Sequence, residues 1–301
     1  MIMAKQASQL RGRMKMAEPM TRHTSWRIGG PADKYYQPAD LDDLVTFLAS
    51  LPESESLSWI GLGSNLLVRD GGIRGTVIAL SGMLNELSVI ESSLVRAESG
   101  VAGAKVARFC ANHHLVGAEF LAGIPGTVGG ALAMNAGAFG GETWRIVESV
   151  ETIDRHGHIR TRPASEYEIG YRKVRGHEGE WFVAAHLRLQ PGESSSAKEE
   201  IRNLLARRGD TQPTQLPNAG SVFKNPDGDH AARLIEACGL KGFCIGKACV
   251  SDKHANFIIN TGNARAADVE ALIGHIRDTV KAEQDIDLEP EVRIIGEPAD
   301  D

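Results

Sequence analysis

Nowhere in the 301-residue sequence do apolar residues run for the roughly 18 positions that a membrane-spanning helix needs. The first twenty residues, MIMAKQASQLRGRMKMAEPM, carry Lys and Arg but lack the apolar centre of a signal peptide. Basic blocks are missing too: the formal net charge is -6, and acidic and basic residues are mixed throughout. That excludes the concentrated positive charge with which a protein neutralises nucleic-acid phosphates. Cysteine is scarce, limited to Cys110, Cys238, Cys244 and Cys249, and no C-x-x-C pair exists to hold zinc or run redox chemistry. Four free thiols in a cytoplasmic protein are the expectation. His113-His114 and His156/His158 have no third candidate ligand nearby in sequence, so all four read as surface histidines and no metal is assigned.

Three common chemical signatures also fail. The loop Gly61-Leu62-Gly63-Ser64-Asn65-Leu66 begins like a dinucleotide fingerprint but places Leu66 where the third glycine belongs. Gly246-Lys247 is followed by Ala248, which offers no hydroxyl to magnesium, so it is not a Walker loop. No G-x-S-x-G nucleophile elbow occurs.

What is present is glycine in unusual concentration. The stretch Gly123-Ile124-Pro125-Gly126-Thr127-Val128-Gly129-Gly130 continues through Asn135, Gly137, Gly140 and Gly141, which makes seven glycines in nineteen residues. Average usage is about 7%. Glycine lets backbone approach a ligand closely and turn its N–H groups inward, so such a loop can hold a pyrophosphate without a lysine. Either loop alone reads equally well as a set of tight turns. Two of them, each following an apolar segment, point to a large phosphate-bearing ligand.

With 42% hydrophobic and 24% charged residues, the chain can support about two or three compact domains. Leu41, Leu44, Val45 and Leu48 share one helical face, after a strand-like run through Tyr35 and Tyr36. Leu57 to Ile60 reads as a buried strand, Val101 to His113 as a helix, Val147 to Arg160 as a hairpin turning near His156-Gly157, and Trp181 to Leu189 as a strand. The polar run Glu193-Ser194-Ser195-Ser196 precedes a helix carrying Ile201, Leu204 and Leu205, and a domain boundary is placed there. Farther on, Ala231 to Cys238 reads as a helix stopped by Gly239, and Val269, Leu272, Ile273, Ile276 and Val280 follow helical spacing. A strand over Val292 to Ile295 closes the chain. Without a regular βαβ repeat, the class expected is α+β.

An ordered set of blocks resembles the UDP-N-acetylenolpyruvoylglucosamine reductases. The blocks are Thr24-Ser25-Trp26-Arg27-Ile28-Gly29-Gly30-Pro31-Ala32, the Gly61 to Leu67 loop, the Gly123 to Gly141 loop and Gly170-Tyr171-Arg172. They continue with Asn218-Ala219-Gly220-Ser221-Val222-Phe223-Lys224-Asn225-Pro226, His254 to Asn260, and Leu288-Glu289-Pro290-Glu291-Val292. Together they cover about Thr21 to Gly296. The resemblance implies a two-part FAD-binding region of the vanillyl-alcohol-oxidase type and a C-terminal α+β substrate domain. In that reading residues 1–20 are an N-terminal tail, 21–85 and 86–195 the two FAD subdomains, and 196–301 the substrate domain. It also implies NADPH as the reductant of FAD, UDP-N-acetylenolpyruvoylglucosamine as the acceptor, and a lactyl ether, UDP-N-acetylmuramate, as the product used for peptidoglycan. Only 49 positions separate Arg172 from Ser221. That spacing resembles the family's shorter form, without the inserted loop that carries a substrate-covering tyrosine.

The resemblance assigns catalysis to Arg172, Ser221 and Glu291. Hydride delivered to the terminal carbon of the enolpyruvyl group leaves charge on the neighbouring carbon and its carboxylate. A permanent guanidinium, Arg172, suits that charge. Ser221 matches the proton donor to carbon, and Glu291 helps polarise the intermediate. Taken out of their blocks, the same residues read as a turn serine, a charge in the basic run Arg172-Lys173-Val174-Arg175, and a strand-edge carboxylate. FAD contacts are expected from Arg27, Gly61, Gly63, Ser64, Asn65, Leu66, Gly123, Ile124, Pro125, Gly126, Thr127, Gly129, Gly130, Asn135 and Gly137. Substrate contacts are expected from Tyr171, Gln212 and Asn225. No histidine lies between His23 and His113, so the flavin is expected to be non-covalent. The two competing readings are an alcohol or sugar oxidase on the same scaffold and a non-catalytic flavin-binding module. A monomer is expected.

Overall fold

In the computed structural model, which describes residues 10–299, the elements that matter for the site follow the apolar spacing closely. In chain order they begin with β1 (Arg13–Pro19), β2 (Pro31–Gln37), α1 (Leu41–Ser50), β3 (Leu57–Ile60), β4 (Leu66–Val68) and β5 (Ile73–Ala79). Next come β6 (Leu87–Glu91), β7 (Leu94–Glu98), α2 (Gly103–Asn112), α3 (Val128–Ala133), β8 (Val147–Asp154), β9 (Ile159–Pro163), β10 (Glu180–Arg188) and α4 (Ser194–Thr211). The last are α5 (Ala231–Ala237), β11 (Cys244–Ile245), β12 (Ala248–Val250), β13 (Ile258–Asn260), α6 (Ala266–Gln284) and β14 (Arg293–Ile295). The mixture is α+β, as expected. Within the segment read as a tail, residues 13–19 form β1; residues 1–9 lie outside the described residues.

Contacts divide the described residues into two units, each assembled from separated segments: residues 10–15, 35–62 and 75–206, and residues 16–34, 63–74 and 207–299. The expected boundary near Ser194 falls inside the first turn of α4, which runs on to Thr211. A polar serine run does not break a helix when Ala197, Ile201 and Leu204 bury one of its faces.

Two sheets supply strands to the first unit. In one, the strand order is β1-β2-β5-β3, and β3 lies parallel to β5 with Leu57 opposite Thr76. The other is fully antiparallel, in the order β9-β8-β10-β7-β6. Helix α1 starts where the Asp40 carboxylate accepts the Asp43 N–H at 2.9 Å, a side-chain cap for an otherwise unpaired amide. Its apolar stripe packs Leu44, Phe47 and Leu48 with Tyr36, Ile78 and Leu84. Asp43, on the same helix, is buried because its carboxylate is fully used: it accepts from the Tyr36 hydroxyl at 2.6 Å and the Arg11 and Ala39 amides at 2.7 and 2.9 Å. Burial opposes the charge on Asp43, but these donors outweigh it and hold its carboxyl below the usual range.

In the second unit one apolar cluster collects Trp26, Phe223, Leu234, Ile258 and the stripe Val269, Leu272, Ile273, Ile276 and Val280 of α6. The start of α6 is capped from a distance: Ala266 and Ala267 donate their amides to the two oxygens of Asp70 at 2.9 and 3.0 Å. Trp26 is fully buried because its indole N–H finds the Ile258 carbonyl at 2.7 Å, and its own carbonyl accepts from the Asn260 side chain at 2.9 Å. Strand β14 lies parallel to β4, with Arg293 opposite Leu66. Strands β11, β12 and β13 form a small antiparallel sheet.

The expectation of four free cysteines is corrected here. Cys244 and Cys249 are joined by a disulfide across the β11–β12 hairpin. Five positions apart in sequence, they are brought opposite one another only by the intervening two-residue turn, and linear spacing does not reveal that. Cys110 and Cys238 are free, and burial pushes the Cys110 thiol up to about 12.

Candidate active site

The first glycine loop leaves the end of β3. Gly61 is required there by crowding: a Cβ at this position would sit 2.3 Å from Oγ1 of Thr127 in the second loop. The two loops, 66 residues apart in sequence, therefore meet within the first unit. Gly63 has φ +66, and a Cβ on it would lie 2.0 Å from the His23 carbonyl. Any L-residue there meets both backbone strain and a clash.

The second loop is fixed from behind. Gly103 donates to the Gly126 carbonyl at 3.0 Å, Val128 to Val101 at 2.9 Å, and Gly129 to Ser99 at 2.9 Å. Thr127 caps α3, its hydroxyl accepting from Gly130 at 3.5 Å. Gly129 lies against Ser99, where a Cβ would be 3.0 Å from the serine Cβ. These bonds leave other groups available. The amides of Gly61, Leu62 and Gly63 in the first loop, and of Gly126 and Thr127 in the second, have no protein acceptor among the described residues. Unpaired N–H groups on close-packed glycine backbone are what a pyrophosphate needs. Both loops thus fit the FAD expected from the sequence.

Past α3 the chain becomes strained. Asn135 has φ 46 and is buried. Its side-chain oxygen accepts from the Trp144 amide at 3.1 Å, and its nitrogen donates to the Gly170 carbonyl at 3.1 Å. Gly170 ends one strand of a short hairpin, Glu168–Gly170 with Lys173–Arg175, whose tip is Tyr171-Arg172. Arg172 has φ 53, and its guanidinium donates to the carbonyls of Asn135 at 3.3 Å and Gly137 at 3.0 Å. Tyr171 is exposed, with the guanidinium carbon 5.2 Å from its ring centroid. Asn135 and Gly137, expected as flavin contacts, are here the supports of Arg172.

Ser221 and Glu291 are brought together in the second unit. Glu291 donates its amide to the Val222 carbonyl at 2.7 Å, and Lys224 donates to Glu289 at 2.9 Å. Two residues past Ser221, the buried Asn256 brackets Phe223. Its carbonyl oxygen accepts from the Phe223 amide at 2.9 Å, and its amide donates to the Phe223 carbonyl at 2.8 Å. Asn65 of the first loop donates to the Glu291 carbonyl at 3.1 Å, and Arg293 donates to the Asn65 carbonyl at 3.0 Å. Two segments lying side by side thus carry the two candidate catalytic groups, and the one with Glu291 bonds to Asn65 of the first glycine loop. Ser64 and Leu66 flank Asn65, and Leu66 opens β4.

The remaining expected residues fall into place less tightly. Arg27 is exposed, with φ 57, in a turn closed by the Thr24 hydroxyl. Gly123 is buried, and Ile124 and Pro125 continue from it. Asn225 accepts from the Ala231 amide at 3.1 Å, which starts α5. Gln212 accepts from Arg208 Nε at 3.3 Å. Arg208 was missed by the sequence reading. It makes no contact with a carboxylate among the described residues, and burial lowers the pKa of its guanidinium. Asn256 was also missed, although it lies in the block His254 to Asn260; a buried polar residue between apolar neighbours was the available signal.

Comparison with known proteins agrees with this geometry. Residues 32–162 match the FAD binding domain, and residues 212–295 match the UDP-N-acetylenolpyruvoylglucosamine reductase C-terminal domain. The chain is 59% identical to the UDP-N-acetylenolpyruvoylglucosamine reductase of Methylococcus capsulatus, over 98% of this chain and 97% of that one. It is 58% identical to the enzyme of that name from Alkalilimnicola ehrlichii, over 95% and 96%. The crystal structure of the Thermus caldophilus reductase superposes with a TM-score of 0.81 at 31% identity, covering 94% of this chain and 98% of that one. A glycine-loop flavin cradle joined to a separate C-terminal domain defines an FAD-dependent oxidoreductase. Within that class, the chain belongs to the UDP-N-acetylenolpyruvoylglucosamine reductase family.

Proposed function

We propose that the protein reduces the enolpyruvyl ether of UDP-N-acetylenolpyruvoylglucosamine to the lactyl ether, at the expense of NADPH, as a cytoplasmic monomer. The observation that supports this reading is the 2.7 Å backbone bond from the Glu291 N–H to the Val222 carbonyl, which sets the segment carrying Glu291 beside the one carrying Ser221. Bound FAD would supply the chemistry of accepting hydride from NADPH and passing it on. The amides of Gly61, Leu62, Gly126 and Thr127 would hold its pyrophosphate.

The protein groups handle charge and the proton. Arg172 grips the substrate carboxylate, where negative charge grows as the double bond is reduced; a guanidinium already fixed by two carbonyls needs little reorganisation to do so. Ser221 gives its hydroxyl proton to the carbon next to that carboxylate. Glu291 stabilises the enolate from the neighbouring segment. Arg208, desolvated and bonded to Gln212, would offer a guanidinium to the diphosphate of the UDP group.

An oxidase built on the same scaffold has no use for a hydroxyl that delivers a proton to carbon. The test is anaerobic stopped-flow absorbance at the flavin band. Bleaching by NADPH, then rapid return of the yellow colour with the enolpyruvyl sugar, is expected. Bleaching without recovery would discard this substrate and favour the oxidase reading. Yellow protein that never bleaches would leave a flavin-binding module.

A further inference from the structure

The disulfide has a place in the sheet that links it to the Ser221 turn. Ile245 pairs with Ala248 around Gly246-Lys247, and Val250 donates to Phe243 at 2.9 Å. The pair between these two hydrogen-bonded rungs, Cys244 and Cys249, is therefore a non-hydrogen-bonded one, where facing side chains come closest. Their Cα atoms are 4.1 Å apart. The two residues differ in access: Cys244 is exposed, and Cys249 is buried.

A row runs inward from this pair. Cys249 of β12 stands opposite Ile259 of β13, and Ile259 is bridged on its other side to Asn218. Asn218 begins the turn that ends at Ser221, accepting from the Gly220 amide at 3.0 Å and donating to the Leu216 carbonyl at 2.7 Å. The hairpin tip is seated as well. Gly246 has φ +57, and a Cβ there would lie 2.5 Å from the Asp268 carboxylate at the start of α6. Phe243 stacks on His275 at 4.4 Å. Strand β11 has only two residues, so the covalent bridge is a large share of what ties this edge to β12.

We propose that Cys244 and Cys249 form a thiol–disulfide exchange site whose oxidation state sets the order of the Asn218–Ser221 turn. Its co-reactant is a small disulfide of the glutathione type. Starting from the reduced pair, the Cys244 thiolate attacks one sulfur of the small disulfide, and the other sulfur leaves as a thiol carrying the proton Cys244 gave up. Cys249, deprotonated in turn, attacks the Cys244 sulfur of the mixed disulfide and expels the second small thiol. Two protein thiols are oxidised and one small disulfide is reduced to two thiols. Reduction begins on the exposed Cys244 sulfur and releases Cys249.

The experiment uses the full-length, FAD-loaded protein, without substrate, equilibrated in buffers of reduced and oxidised glutathione. Alkylation under denaturing conditions followed by mass spectrometry reads the state of each cysteine. Hydrogen–deuterium exchange reads the amides of Gly220 and of Asn260, which donates to Pro217 at 2.9 Å. Cys244 and Cys249 are expected to interconvert together across the buffers, while Cys110 and Cys238 stay reduced. The Gly220 and Asn260 amides are expected to exchange about tenfold faster in the reduced form. The double variant Cys244→Ser, Cys249→Ser should match the reduced wild type in every buffer; if it folds poorly, the wild type reduced in place supplies the same comparison. A pair locked in one state throughout, or exchange rates that ignore its state, would overturn the proposal.

Discussion

Arg172 rests on Asn135. The guanidinium donates to the Asn135 backbone carbonyl at 3.3 Å, while the Asn135 side chain donates at 3.1 Å to Gly170, two residues before the arginine. Both residues adopt positive φ, 53 and 46 respectively, so each holds the other in a conformation neither favours alone.

That mutual support predicts that Arg172→Lys fails although it keeps the charge. One ammonium cannot reproduce a fork bonded to Asn135 and Gly137 and still present a flat face to a carboxylate. Flavin reoxidation by the enolpyruvyl sugar should slow about 100-fold, with reduction by NADPH nearly unchanged. Single-turnover absorbance separates the two steps; reoxidation at the wild-type rate would remove Arg172 from the carboxylate.

Ser221→Ala should retain FAD and be reduced by NADPH at the normal rate. Reoxidation should fall by about 100- to 10,000-fold, the usual loss on removing a positioned proton donor. Turnover at the normal rate would sink the assignment of Ser221.

Gly61→Ala tests the meeting of the two loops. The new methyl would lie 2.3 Å from Thr127 Oγ1, forcing the threonine off its contact with Gly130 or the loops apart. We expect flavin affinity to fall about tenfold, roughly 1.4 kcal/mol, with the fold intact. The ratio of flavin to protein absorbance after dialysis reads it. Full flavin content would show that loop spacing does not matter to the cofactor.

Glu151 should make stability pH-dependent. It accepts from Arg96 at 2.7 and 2.8 Å and pairs with His186 at 2.8 Å. The hydrogen bond from Arg96 is the largest influence on it, and the net effect holds its carboxyl below the usual range despite burial. A lowered folded pKa contributes stability that is fully present above the unfolded value, about 4.3, and is lost as pH falls through the folded value. Glu151→Gln should cost about 3 kcal/mol near neutrality, because Arg96 is left without its main partner. The gap from wild type should shrink below about pH 4. Urea melts at pH 7 and pH 3.5 check this; an equal gap at both would show that the ion pair contributes nothing.

Much of the fold was legible because its signals are local. Spacing located α1, α2 and α6, and Gly239, at φ +67, stands just beyond α5 as a left-handed stop. The glycine loops were legible as loops, but not the reason for each glycine. That Gly61 is needed by Thr127, or Gly63 by the His23 carbonyl, depends on backbone that arrives from elsewhere in the chain. The same limit hid Asn256, whose clamp on Phe223 spans 33 positions. It also hid the disulfide, since a five-residue spacing says nothing until a turn folds it. The serine run at 194–196 misled for the opposite reason: its composition favours a linker, but the helix is set by the apolar face downstream.

The bond between Asn65 and Glu291 joins residues 226 positions apart. A ribosome adding 5–20 residues per second would release the second partner on the order of ten to fifty seconds after the first. During that interval β4 has been made but β14 has not, and the nascent first loop has no partner strand. The protein is therefore a poor candidate for domain-by-domain folding during synthesis. A truncated product lacking its last eleven residues would lose β14 and Glu291 together, so an incomplete chain should be unstable as well as inactive.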